Sequence, residues 1–413
     1  QVVNWQTCDS GRLGVDYAPL LRDAQADLGD RLKCTMITVP LDHDNPAKGD
    51  LKIAVMRAAA GRPALRRGAI FFNPGGPGAD GLYLAALYGR KWNNLNPPDA
   101  IATELKKMSD QYDLIGFSPR GVGASTQLIV ATNEQERPVL RYDRSNQNIQ
   151  NMLYNARLAA ETSLKNPLTP YINTEQTVRD MDLIRHLLGD EKLNYIGYSY
   201  GTWLGAWYAG RFPERAGRML LDSSMNFAGN RLMEFMEIRA LGEQRVFDQV
   251  LVPYGARHNN LFALGTSPEE VRAAFYNLPM QLREQVYSLI SIDSNAHNNP
   301  NDSMQKLRAG QVLHGLLQTH PYADYNQMIE LINQTSFMPA PDNNRETREQ
   351  ALELFRRYAN VFQTTNFFTG ASGTVNMAVK CNDSPDHTDE WYWINLGNQQ
   401  ALNYPFYGGV ITW

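Results

Sequence analysis

Cysteine is scarce in this chain: three residues in 413, at Cys8, Cys34 and Cys381. No Cys/His spacing of the zinc type exists, so no metal is expected. Gly75, Gly76 and Gly78 crowd together but do not make a phosphate loop, and no cofactor is expected. No apolar run approaches the roughly 18 residues of a membrane span. An excess of one charge is missing too: 39 Lys+Arg against 43 Asp+Glu leaves −4, which gives no reason to expect nucleic acid or a membrane as partner. Internal repeats and low-complexity tracts are absent. The numbering begins at Gln1 with neither an initiator Met nor a signal peptide, so a mature, processed, soluble chain is expected.

What is there is enough for a large core: 43% hydrophobic and 10% aromatic residues. The length exceeds one ordinary compact domain, so a core with a sizeable insertion is expected. Cys8 and Cys34 flank a short N-terminal segment and are expected to close a disulfide loop, as in a secreted or periplasmic protein. Cys381 is then left over, either as a buried thiol or with a partner outside this chain.

One stretch organises the rest. Leu193 to Tyr198 reads as a short buried strand and Thr202 to Phe212 as a helix ended by Pro213. Between them Gly197-Tyr-Ser-Tyr-Gly201 is a G-x-S-x-G pattern at a strand-to-helix junction, the context of a nucleophile elbow with Ser199 at its tip. Gly201, Gly205 and Ala209 recur every four residues, leaving one helix face nearly bare for close packing on the sheet.

Further strands are expected at 33–39, 51–56, 68–72, 112–117 and 217–222. The 68–72 run is fully apolar and central, and it empties into Asn73-Pro-Gly-Gly-Pro-Gly78, a loop whose N–H groups can face a ligand. Residues 133–172 are polar and read as a surface excursion. Thr174 is expected to cap a helix with apolar positions Val178, Met181, Leu183, Ile184 and Leu187. Alternating strands and helices argue for an α/β fold with a mostly parallel sheet. Residues 1–227 form the expected core and 228–370 an inserted helical lid, with helices at 231–252, 267–278, 303–318, 323–334 and 345–362. A return segment follows at 371–413, with a strand-like alternation at Val375, Met377 and Val379.

Four motifs resemble the secreted tripeptidyl aminopeptidases, a group related to proline iminopeptidases within the α/β-hydrolase superfamily. They are Thr38-Val-Pro-Leu-Asp42, Asn73-Pro-Gly-Gly-Pro-Gly78, Pro119-Arg-Gly-Val-Gly123 and Gly197-Tyr-Ser-Tyr-Gly-Thr202. Phe212-Pro-Glu-Arg215 and Leu220-Leu-Asp222 extend the match over about the first 225 residues. The resemblance implies Ser199 as nucleophile and an oxyanion hole from the N–H groups of Tyr200 and Gly76, Pro77 having none to give. Ser118 departs from the pattern, standing where that family usually has Asp.

The acid and base are harder to find. The superfamily order is Ser, then Asp or Glu, then His. Asp383 is a candidate acid or else a turn or cap residue, but only His387 follows it, four residues on. Asp222 ends a strand and serves either as acid or structurally. His258, His297, His314 and His320 fall in the expected lid, and His43 and His186 precede the nucleophile. A companion segment of the same gene product is therefore expected, packing on 373–413, supplying the base and pairing with Cys381. The C-terminal part of the core would then be missing from this chain. The function so implied is a serine exopeptidase acting on peptide N-termini, with Glu234 and Glu237 as carboxylates for the substrate ammonium. An esterase or amidase, and a catalytically incomplete binding chain, are the alternatives.

Overall fold

Alternation along each strand sorts side chains to opposite faces of one sheet. Leu51, Ile53 and Val55 face one core with Phe71 and Ile115, while Ala54, Met56 and Ala58 face a second with Phe72 and Leu114. The computed structural model that carries this sheet describes residues 2–9, 11, 17–95, 100–229, 231–232, 234–259, 264–278, 280, 283–284, 287, 371–383 and 387–409. The expected helices at 303–318, 323–334 and 345–362, with His297, His314 and His320, lie outside the described residues.

The six strands are β1 (Leu32–Pro40), β2 (Asp50–Ala58), β3 (Ala69–Asn73), β4 (Asp113–Phe117), β5 (Leu193–Tyr198) and β6 (Ala216–Asp222), in the order β1-β2-β4-β3-β5-β6. β1 with β2 and β2 with β4 run antiparallel; the pairings from β4 to β6 are parallel. All five residues of β3 are buried, as its apolar run requires. α1 (Ala18–Leu28), α2 (Leu84–Asn93) and α3 (Ala100–Gln111) precede α4 (Asn146–Leu164), α5 (Thr174–Leu187) and α6 (Tyr200–Arg211). α1 and α2 cover the second core, and α5 and α6 the first. On α6, an added Cβ at Gly205 would fall 2.7 Å from the Tyr195 ring, so the small face sits directly on β5.

The two ends of the sheet differ. Gln6 and Cys34 exchange backbone N–H···O bonds of 2.9 and 2.8 Å, so the N-terminal segment lies along β1. The expected Cys8–Cys34 disulfide pins it there, with a Cα separation of 4.9 Å. At the other end β6 pairs only with β5 among the described residues, and Leu220 is 56% exposed.

Three expectations are corrected. Residues 133–172 are more than an excursion: α4 runs for 19 residues and buries Ile149, Met152 and Leu153 against Trp393. Trp393 lies on the later helix Glu390–Asn403. The cap of α5 is Asn173, whose side chain accepts from the Gln176 N–H; Thr174 is already helical. The supposed strand around Val375–Val379 is a helix, Ala371–Asp383. Val375, Met377, Ala378 and Val379 are all buried, so the run satisfies a period of two and one of 3.6 at once, and its 13 residues exceed an ordinary strand.

In the expected lid, α7 (Glu234–Val246) passes through a π-turn, Phe247–Leu251, into α8 (Val252–Arg257). Pro253 follows the π-turn and has no N–H to return to it. α9 (Pro268–Tyr276) carries the full capping box of Ser267 and Glu270. The helices Ala371–Asp383 and Glu390–Asn403 are α10 and α11.

Candidate active site

At the end of β5 the chain must turn straight into α6. Ser199 makes that turn with φ 53° and ψ −121°, a left-handed conformation that L residues adopt only where the surroundings enforce it. The enforcement is visible. The Ser199 N–H donates to the Asp222 carbonyl (3.0 Å), and its carbonyl accepts from the Thr202 N–H (2.9 Å) and hydroxyl (2.7 Å). The Thr202 hydroxyl in turn accepts from the Met225 N–H (2.8 Å), and the Tyr195 phenol donates to the Gly201 carbonyl (2.7 Å). Ser199 itself is exposed while Tyr200 beside it is buried.

The loop leaving β3 comes up against this elbow. An added Cβ on Gly75, at φ 103°, would lie 2.6 Å from the Tyr198 carbonyl oxygen and 3.0 Å from Ser199 Cβ. Only glycine permits both that backbone and that approach. Buried Asn73 fixes the loop by accepting from the Gly75 N–H (2.9 Å). Gly76 is the next residue along, at φ 110°.

Sequence reasoning missed what stands behind the elbow. The Tyr200 phenol hydrogen-bonds the Thr174 hydroxyl (2.5 Å), and the Thr174 hydroxyl bonds the Asp383 carboxylate, which also accepts from the Thr174 N–H (2.7 Å). Burial pushes the Asp383 carboxyl up to about 6, with the hydrogen bonds from Thr174 working the other way. The raised value favours the protonated form in the fold. Its stabilising contribution is therefore complete below the ordinary 3.8 and lost as pH rises through about 6. Burial, reinforced by Asp383, holds the Tyr200 phenol well above 10, so it stays neutral and can donate. Asp383, weighed as acid or cap, thus sits at the N-terminus of α5. The signal was the Lys380-Cys-Asn-Asp383 run, expected after a strand and found at the end of a helix.

The other candidates separate. Asp222 is exposed at the end of β6, where its backbone carbonyl serves the elbow. His43 bonds Asp180 (2.8 Å) beneath β1, and His186 is exposed on α5. His258 packs on Tyr254, and His387 stacks on Tyr392 with ring centroids 3.6 Å apart. Glu234 begins α7 and accepts from Asn226 in the loop after β6 (3.1 Å); Glu237 lies one turn on, with its side chain outside the described residues. Cys381 is exposed on α10, not a buried thiol.

Ser118 also finds its explanation. It is buried, and its hydroxyl donates to the Asp80 carboxylate (2.8 Å), so a carboxylate is present here but comes from position 80. Burial raises the Asp80 pKa despite bonds from the Leu82 N–H and Ser118. Ser118→Asp would set two carboxylates together in that space, forcing one to stay protonated. We expect a loss of about 2–3 kcal/mol in urea unfolding at pH 7, largely recovered in the swap Asp80→Ser with Ser118→Asp. A single variant as stable as the parent would refute this pairing.

A protein-family model described as the α/β-hydrolase fold matches residues 68–282. Tripeptidyl aminopeptidase of Streptomyces lividans is 35% identical over 227 residues, 52% of this chain and 39% of that protein. The chain thus matches about two fifths of the length of that relative. Serine protease Hip1 of Mycobacterium tuberculosis (strain H37Rv) is 25% identical over 397 residues, 94% of this chain and 68% of Hip1. A solved proline iminopeptidase from Mycobacterium smegmatis is 16% identical, covering 69% of this chain and 68% of that one, with a TM-score of 0.29. With the family model spanning β3 through the elbow and beyond, over more than half of its length, this chain belongs to the α/β-hydrolase family.

Proposed function

We propose that this chain carries the nucleophile of a serine exopeptidase, which removes residues or short peptides from free N-termini. The observation that carries the reading is Ser199, exposed on a left-handed turn between β5 and α6. Its Oγ attacks the scissile carbonyl while a base takes the proton. The proton then passes to the leaving amine, and water releases the acyl group by the reverse sequence. The Tyr200 and Gly76 N–H groups are the proposed donors to the tetrahedral oxyanion, each worth about 3–4 kcal/mol by analogy with other hydrolases. The relatives named tripeptidyl aminopeptidase and serine protease support peptides as the substrate class. The Cys8–Cys34 disulfide supports an oxidising setting outside the cytoplasm.

The base and its carboxylate are assigned to residues other than those described, with a companion segment packed on residues 373–413 as the proposed source. Among the described residues β6 has a neighbour on one side only and Leu220 is exposed, which supports a further segment, because an unpaired strand edge is a state that folded proteins usually cover. Glu234 is kept as a candidate for the substrate ammonium because Asn226 ties it to the loop that leaves the elbow's neighbouring strand. Glu237 is proposed with it from its place one turn along the same helix.

The test is a substrate panel on the full-length protein, with a fluorophosphonate probe to locate the nucleophile. Tripeptidyl- and aminoacyl-anilides should be cleaved, N-acylated versions should resist, and the probe should mark Ser199. Cleavage of p-nitrophenyl esters alone would shift the assignment to an esterase. No labelling and no turnover would leave a binding chain.

A further inference from the structure

An oxyanion hole of this kind draws its two N–H donors from separate pieces of chain, here the loop at 73–78 and the first turn of α6. Their separation has to be held to a fraction of an ångström for both to reach one oxygen. The loop packs directly on the elbow at Gly75, and one further element ties the two pieces together. On α10, the Asn376 amide donates to the Pro77 carbonyl (2.9 Å), in the Pro77–Gly78 peptide one residue past Gly76. Asp383 lies seven residues further, two helical turns or roughly 10 Å along the same face. It reaches the elbow through the Thr174 hydroxyl and the Tyr200 phenol. The far end of α10 is fixed besides by the Asn382 amide, which donates to the Thr169 and Ile172 carbonyls (2.7 and 3.1 Å). Its middle is seated where Val375 meets Gly121 and the core beneath β5.

We infer that α10 is a brace that helps set the spacing of the oxyanion hole, with Asn376 near its middle and Asp383 at its C-terminal end as positioning residues. The inference rests on the serine-hydrolase reading above. A helix suits the task because its length is fixed by its own hydrogen bonds, so both donors are referred to one rigid ruler. The Thr174 hydroxyl is the joint: it accepts from Tyr200 and donates to Asp383. Loss of either tie leaves the nucleophile in place but lets one donor drift. Substrate binding remote from the carbonyl is untouched, so kcat should fall while KM holds.

Four variants of the full-length protein test this: Asn376→Asp, Asp383→Asn, Thr174→Val and Thr174→Ser. Steady-state kinetics on one anilide would be paired with thermal midpoints and with affinity for a boronate that mimics the tetrahedral state. Thr174→Val and Asn376→Asp are expected to lower kcat about 10–100-fold, with KM within a factor of about three and boronate affinity falling in step. Thr174→Ser keeps the hydroxyl and should stay near the parent. Asp383→Asn keeps an acceptor for the Thr174 N–H and should fall between them. Unchanged kcat in Thr174→Val and Asn376→Asp would overturn the inference. So would losses in kcat that merely track a lowered midpoint and spare the boronate. If the parent itself shows neither turnover nor labelling of Ser199, the underlying hydrolase reading fails instead.

Discussion

Ser199→Ala is expected to remove turnover of both anilide and ester substrates, by a factor of about 10⁶ if the serine acts within a triad. The fold should survive. The side chain is small and exposed, and none of the bonds described at the elbow uses the Ser199 hydroxyl. Alanine inherits the same φ of 53° and the same strain. Ser199→Gly is the informative companion: it should be equally inactive yet more stable, by about 1 kcal/mol, because glycine adopts that conformation without penalty. A gain of this kind would show that the elbow's conformation is held against local preference for the sake of the hydroxyl. Measurement needs only a substrate assay and a urea melt. Full activity in Ser199→Ala would end the assignment; a destabilised Ser199→Gly would end the strain argument.

The largest stability effect should come from Asp180. Its side chain is 1% exposed and meets Arg120, 0% exposed, through two 2.7 Å bonds. Arg120 spends its remaining donors on the Leu41, Tyr171 and Pro40 carbonyls, and His43 adds a bond to the same carboxylate. Asp180→Ala strands a guanidinium where water cannot reach it, which should cost about 3–5 kcal/mol. Removing both charges, as Arg120→Met with Asp180→Ala, should cost less than the single change, because the penalty lies in the uncompensated ion. Urea midpoints for the two variants decide it. A single variant within about 1 kcal/mol of the parent would mean that the pair is solvated after all.

The same network shows why two of the recognised motifs matter. Pro119-Arg-Gly-Val-Gly123 and Thr38-Val-Pro-Leu-Asp42 meet through the Arg120 bonds to Pro40 and Leu41, away from the nucleophile. Strands were legible because the central ones bury both faces and read as unbroken apolar runs, such as Ala69–Phe72 and Leu114–Phe117. The elbow was legible because its backbone demands glycine at fixed offsets. The α10 helix was not, since a run with apolar residues at 375, 377, 378 and 379 satisfies either period. What Asp383 bonds was not legible for a different reason: its partner Thr174 is 209 positions away, and nothing local in either sequence announces the other. The cap at Asn173 was misread by one residue because Thr174 has a capping side chain, engaged elsewhere. Acid and base were not placed, because none of the histidines at 43, 186, 258 and 387 meets the elbow in a way that sequence spacing would reveal.

The pinned N-terminal segment has a consequence for how the chain assembles. The Cys8–Cys34 link spans only 26 positions, and the β1–β2 hairpin is complete at Ala58. A chain made from its N-terminus can therefore close a small covalent unit once Ala58 has emerged. The middle of the sheet has to wait. β3 lies between β4 and β5, so it gains its second neighbour only after Tyr198 has emerged, some 125 residues later along the chain. Between those moments the most apolar strand stands with one side open, the kind of exposed edge that invites wrong pairing. Early closure of the N-terminal unit gives β4 one prepared edge on which to dock, and with it a fixed template on which the rest of the sheet can grow.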